Sequence, residues 1–99
     1  MRIEPLRGAS PTLRSIAAKV VWWKTEEQAL ADPIHLACRI MTYGTWNDVV
    51  LARAEMGDEL WETALRSAPP GLFDVRSWNY WNLVFGFVPV PPLPTRRFP

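Results

Sequence analysis

The sequence predicts an all-α protein, a compact bundle of four to five short helices followed by an extended proline-rich C-terminal tail. Three observations carry this expectation. Apolar residues across residues 10–87 recur at three- and four-residue spacing, and no run alternates with period two. Helix-start signals (Ser10-Pro11, Asp32-Pro33, Thr45, Asp74) alternate at short intervals with stop signals (Gly44, Gly57, Pro69-Pro70-Gly71, Gly86). Five of the last twelve residues are proline, which fixes φ and removes the amide donor, so this segment cannot continue a helix or enter a central strand. The chain therefore divides into an N-terminal arm (1–9), a helical domain (10–87) and a basic, proline-rich tail (88–99).

Ser10-Pro11 reads as an N-cap with proline at the first helical position, opening a helix to about Lys19. Leu13, Ile16, Ala17 and Val20 form its apolar stripe. Val20-Val21-Trp22-Trp23 breaks the pattern and is either a last turn or a short extended stretch. Thr25-Glu26-Glu27-Gln28 resembles a capping box that starts a single short turn. Asp32 caps the next helix. There Ile34, Ala37, Cys38 and Met41 lie on one face, Leu36, Ile40 and Tyr43 widen it, and His35, Arg39 and Thr42 fall opposite. So wide a stripe marks a central core helix, which Gly44 stops as a C′ residue. Thr45, with an acid at position 48, caps a helix to about Met56. Gly57 ends that helix and Asp58 caps the next, where Trp61, Ala64, Leu65 and Ala68 share a face. Asp74 caps the last helix, bearing Trp78, Trp81 and Phe85 at i, i+3 and i+7.

Six Trp, four Phe and two Tyr are more aromatics than so small a core readily encloses, since each buried ring hides about 150–250 Å². Some are expected on the surface, where Trp, Tyr and Arg anchor protein interfaces. The overall charge of +1 hides a pattern. Residues 1–24 carry a net +4, residues 25–74 a net −6 and residues 75–99 a net +3, so basic ends flank an acidic middle. The single Cys38 excludes an internal disulfide, the first residues lack the apolar core of a signal peptide, and no apolar run approaches the roughly 20 residues of a membrane helix. A cytoplasmic protein without a membrane span is expected.

Catalytic constellations are nearly missing. One His and one Cys support neither a Cys/His metal site nor a hydrolytic triad. His35 and Cys38 stand three apart on one helix, but two ligands do not complete a tetrahedral site. The adjacent acids Glu26/Glu27 and Asp58/Glu59 sit in first turns, where capping and the helix dipole account for them. No cofactor, metal or enzymatic activity is expected. An alternative is a small helix-turn-helix-like DNA-binding regulator built from the helices flanking Gly57. Its recognition helix would carry Asp58, Glu59 and Glu62 against Arg66, a repulsive surface for phosphates, so nucleic acid is not the expected partner and the basic N-terminus is the better candidate for any contact.

Val21-Trp22-Trp23-Lys24, Met41-Thr42-Tyr43-Gly44-Thr45, Ala68-Pro69-Pro70-Gly71-Leu72-Phe73-Asp74, Arg76-Ser77-Trp78-Asn79-Tyr80-Trp81 and Pro92-Leu93-Pro94-Thr95-Arg96-Arg97 are idiosyncratic motifs. Over residues 20–98 the chain resembles a family of small bacterial antitoxin-like proteins encoded beside nucleotidyltransferase toxins of the AbiEii/AbiGii type. The resemblance implies a protein that binds and neutralises a cognate nucleotidyltransferase toxin, and it supplies no catalytic residues. Expected partner-binding residues are Trp22, Trp23, Tyr43, Asn79 and Tyr80 on the body, and Leu93, Arg96, Arg97 and Phe98 on the tail. A polyproline II tail displays its backbone and is already extended. It could thus bring Arg96 and Arg97 to the toxin's metal-binding carboxylates, whose geometry suits the guanidinium fork. The tail alternatively folds back over its own body, forms an inert end, or docks an SH3-like groove.

Overall fold

The computed structural model describes residues 5–95, and within them the chain is all-helical. The helices are α1 (Pro11–Val20), α2 (Glu26–Leu30), α3 (Pro33–Tyr43), α4 (Trp46–Met56), α5 (Asp58–Arg66) and α6 (Val75–Val84). The expected single turn after Thr25 is the five-residue α2, opened by a complete capping box between Thr25 and Gln28. Most start signals act as their chemistry dictates. Ser10, Asp32, Thr45 and Asp74 each accept a hydrogen bond from the backbone N–H three residues on. Ser10 does more. Its own N–H and hydroxyl donate to Glu55, tying the start of α1 to the end of α4.

One terminator and one cap work differently from the sequence expectation. Gly44 has φ −72°, so it is not a left-handed C′ residue. Glycine is required there by close approach, because a Cβ would lie 2.7 Å from the Ile40 carbonyl oxygen and 3.1 Å from Ile40 Cγ2. Gly57, at φ +94°, ends α4 as expected but also takes the N-cap position of α5, which displaces Asp58 into the first turn. Asp58 does not cap; its carboxylate accepts from Arg53 Nε at 2.6 Å and is held below its ordinary pKa by that bond.

The central position of α3 follows from its wide apolar stripe. Leu36, Ala37, Cys38, Ile40 and Met41 are all buried, and α3 packs against each of the other five helices. Its broadest contact is with α5, which supplies the fully enclosed Trp61, Ala64 and Leu65. Trp61 meets Trp81 of α6 edge to face at 5.4 Å, and the Trp81 indole N–H donates to the Met41 carbonyl at 3.0 Å. Phe73 packs on Trp78 in the same geometry at 5.4 Å. Asn82 reaches back to the Trp78 carbonyl at 2.8 Å, and its own carbonyl accepts from Phe87, so this buried polar residue closes the end of α6.

Both ends of the described chain lie against the bundle. Leu6 N–H donates to the Leu30 carbonyl, and Leu6 and Ala9 pack on the core. The tail folds back over the body as far as Pro94. The Trp78 indole N–H donates to the Pro91 carbonyl at 2.8 Å, and Gly71 N–H donates to the Pro94 carbonyl at 3.2 Å. Val90 and Leu93, on either side of Pro91, rest on the core. A proline-rich strap suits this role, since polyproline II makes no internal hydrogen bonds and leaves its carbonyls free to accept from the body. Arg96, Arg97 and Phe98 lie outside the described residues. No helix among the described residues is long and apolar enough to cross a membrane.

Candidate partner-binding face

The outer strip of α3 carries His35, Arg39 and Tyr43 at i, i+4 and i+8, which stacks them along one side of the helix. Sequence periodicity placed Tyr43 with the core stripe. The structure turns it out to 58 % exposure, beside Arg39. The Val21–Lys24 turn that follows α1 lies alongside. Val21 is buried, which throws Trp22 and Trp23 outward; Trp22 is 74 % exposed. Their rings meet edge to face at 5.7 Å, and Trp23 meets His35 in the same way at 6.0 Å.

Arg39 joins the two segments. Its Nε donates to the Val20 carbonyl at 2.9 Å, closing the C-terminal end of α1. The guanidinium carbon lies 4.7 Å from the Trp23 ring centre and 4.0 Å from that of Tyr43. Partial burial and then the Lys24 charge lower the His35 pKa, with Arg39 adding to the effect and Asp32 opposing it. The positive charges of this region at neutral pH are accordingly Arg39 and Lys24, with His35 neutral.

Beyond Tyr43 the next residue, Gly44, lines a groove of about 270 Å³ between α3, α4 and α6. Met41, Val49 and Trp81 form its apolar floor, and Trp46, Tyr80 and Arg76 stand at its rim. Trp46 is 69 % exposed. The turn that carries it is held by a second complete capping box, with Thr45 N–H donating to Asp48 at 2.9 Å and Asp48 N–H to the Thr45 hydroxyl at 3.1 Å. Asp48 also pairs with Lys19 of α1. Burial works to raise its pKa, yet Lys19 together with the Thr45 N–H and hydroxyl holds it below its ordinary value.

The sequence-derived residues thus fall into three groups. Trp22, Trp23 and Tyr43 converge on Arg39. Tyr80 lines the neighbouring groove, and Asn79 is exposed on the preceding position of α6. Leu93, a residue of the strap itself, is half-buried against the core. Arg39, Trp46 and Arg76 were missed by sequence reasoning. The spacing of Arg39 to Tyr43, four residues on one helix, was the available signal for the first; nothing local distinguished exposed Trp46 from buried Trp61.

The described residues contain no group of three His, Cys, Asp or Glu side chains able to hold a metal. Cys38 is buried, donates to the Ala64 carbonyl at 3.3 Å, and burial pushes its thiol pKa up to about 12. It is a core residue with negligible thiolate at neutral pH. The exposed face of α5 carries Asp58, Glu59 and Glu62, while Arg66 is drawn toward Glu62 at 3.6 Å and over the Phe87 ring. No family model matches the chain, and neither the curated proteins nor the solved structures contain a match to it.

Proposed function

We propose that this protein is a binding module that grips a second polypeptide through the face running from Trp22 to Tyr80, and that its partner is a nucleotidyltransferase toxin of the AbiEii/AbiGii type. One observation carries the first half: Trp22, Trp23, Tyr43, Trp46 and Tyr80 are all exposed, with Arg39 among the first three. Trp, Tyr and Arg are the residues that dominate binding energy at protein interfaces, while isolated domains bury rings of this size where they can. The second half rests on the resemblance of residues 20–98 to antitoxin-like proteins. In this reading the protein neutralises the toxin by contact and performs no chemistry of its own. The acidic exposed face of α5 favours a protein partner over DNA, because a helix entering the groove would bring three carboxylates toward phosphates.

The test is co-expression with the nucleotidyltransferase, followed by affinity capture and a growth assay. Native protein is expected to retain the toxin and restore growth. Trp22→Ala and Trp46→Ala, made singly, are each expected to cost about 2 kcal/mol of binding, roughly thirtyfold in affinity, without lowering the melting temperature. Full capture by the double substitution, or no capture by the native protein, refutes the reading.

A further inference from the structure

Three arginines lie over aromatic rings: Arg39 on Trp23 and Tyr43, Arg53 on Phe85, and Arg66 on Phe87. Arg53 and Arg66 each have a carboxylate partner, Asp58 and Glu62. Among the described residues Arg39 has none within 4.0 Å, although its Nε and its guanidinium plane are both engaged. Its Nε is engaged by the Val20 carbonyl and its carbon lies within 5 Å of two ring centres, roughly ring-contact distance. What remains is the pair of terminal nitrogens, a flat fork of donors with its orientation already fixed.

We propose that Arg39 is a carboxylate receptor: it takes an Asp or Glu side chain from an acidic segment of the partner end-on, while Trp22 and Tyr43 cover the apolar residues that flank it. This rests on the reading of the face as a protein-binding surface and names the chemistry of what it binds. Charge complementarity points to an acidic occupant. Lys24 adds a second cation, and the nearby Asp32 has its Oδ1 engaged by the His35 N–H at 3.2 Å. The planar fork matches a carboxylate in two parallel bonds, and fixing it beforehand removes much of the ordering cost of binding. A nucleic-acid backbone is the poorer fit, since two cations are too few for the counterion release that drives such binding. The exposed rings meanwhile offer apolar walls that an acidic peptide with Leu or Phe beside its carboxylates would cover, excluding water from the ion pair.

The experiment is a titration of the full-length protein, followed by the indole N–H resonances of Trp22 and Trp23. The probes are a capped peptide with the core Leu-Glu-Asp-Phe, its Gln/Asn twin, and an oligothymidylate of similar length at the same salt concentration. The acidic peptide is expected to shift both indoles and to bind about tenfold or more tightly than its amide twin. Arg39→Lys, which keeps the charge and loses the fork, is expected to weaken the acidic peptide by a similar factor. Because that change also removes the bond to Val20, Tyr43→Leu serves as the second variant. It keeps Arg39 with its Val20 carbonyl partner, removes one of the two rings, and is expected to weaken binding several-fold at an unaltered melting temperature. Equal binding of acid and amide peptides, no shift with any peptide, or tighter binding of the oligothymidylate overturns the proposal. Toxin capture that fails with Trp22→Ala but survives Arg39→Lys also overturns it, and leaves the protein-binding reading standing. Failure of toxin capture alongside selective binding of the acidic peptide does the reverse.

Discussion

Asp48 offers the sharpest energetic test of how the face is held. Its carboxylate accepts from Thr45 N–H at 2.9 Å and pairs with Lys19, and its side chain is 9 % exposed against 53 % for Lys19. A hydrogen bond to a charged group contributes about 1.5–3 kcal/mol. The ion pair adds less, about 1 kcal/mol at most, because Lys19 returns easily to water. Asp48→Asn keeps an acceptor for Thr45 and loses the charge, so a loss of about 1–2 kcal/mol is expected. Asp48→Ala loses both interactions and should cost about 2–4 kcal/mol. Urea denaturation measures this directly. With a slope of about 1–3 kcal/mol per M, the Asn variant should unfold roughly 1 M earlier.

The pH dependence gives a second check. The folded carboxyl titrates below the ordinary 3.8, so its contribution is fully present above that value and is lost as pH falls through the folded value. The native protein and Asp48→Asn should therefore converge in stability on strong acidification. An Asn variant as stable as the native protein at neutral pH would refute the reasoning, as would a difference that persists once the carboxyl is protonated. Adding Lys19→Met to complete a double-mutant cycle should return a coupling of about 0.5–1 kcal/mol.

Two further outcomes are expected. Gly44→Ala introduces a Cβ 2.7 Å from the Ile40 carbonyl oxygen at an ordinary φ, so it should destabilise by about 1–3 kcal/mol through crowding alone; an unchanged denaturation midpoint would show that the end of α3 yields without cost. Trp78→Phe keeps an aromatic ring in place but removes the indole N–H donor to Pro91, which should loosen the strap. Hydrogen exchange at Gly71, whose N–H bonds the Pro94 carbonyl, should then quicken by about fivefold, reflecting roughly 1 kcal/mol lost. Unaltered exchange would mean that Val90 and Leu93 hold the strap without that bond.

Helix positions and their starts were legible because they are local. Ser10, Thr25, Asp32, Thr45 and Asp74 satisfy amide groups only three residues away, a distance that spacing in the chain already encodes. The same holds for the central place of α3, whose apolar stripe is too wide to cover without neighbours on several sides. Gly44 and Asp58 were misjudged because their roles depend on the neighbouring turn's geometry, which residue type alone leaves open.

The amino-acid sequence by itself determined an all-α chain with a surplus of indoles and a proline-rich end, since periodicity, capping and the lost amide of proline act over a few residues. Only the tertiary structure decided which indoles surface and which are enclosed. Trp61 and Trp46 both lie on short helices, yet one fills the space between α3 and α6 while the other stands at a groove rim. It likewise decided that Arg39 should meet Trp23, sixteen positions earlier, and that the strap should lie on Trp78. Those contacts join distant segments, and their energies exist only once the bundle has brought the segments together.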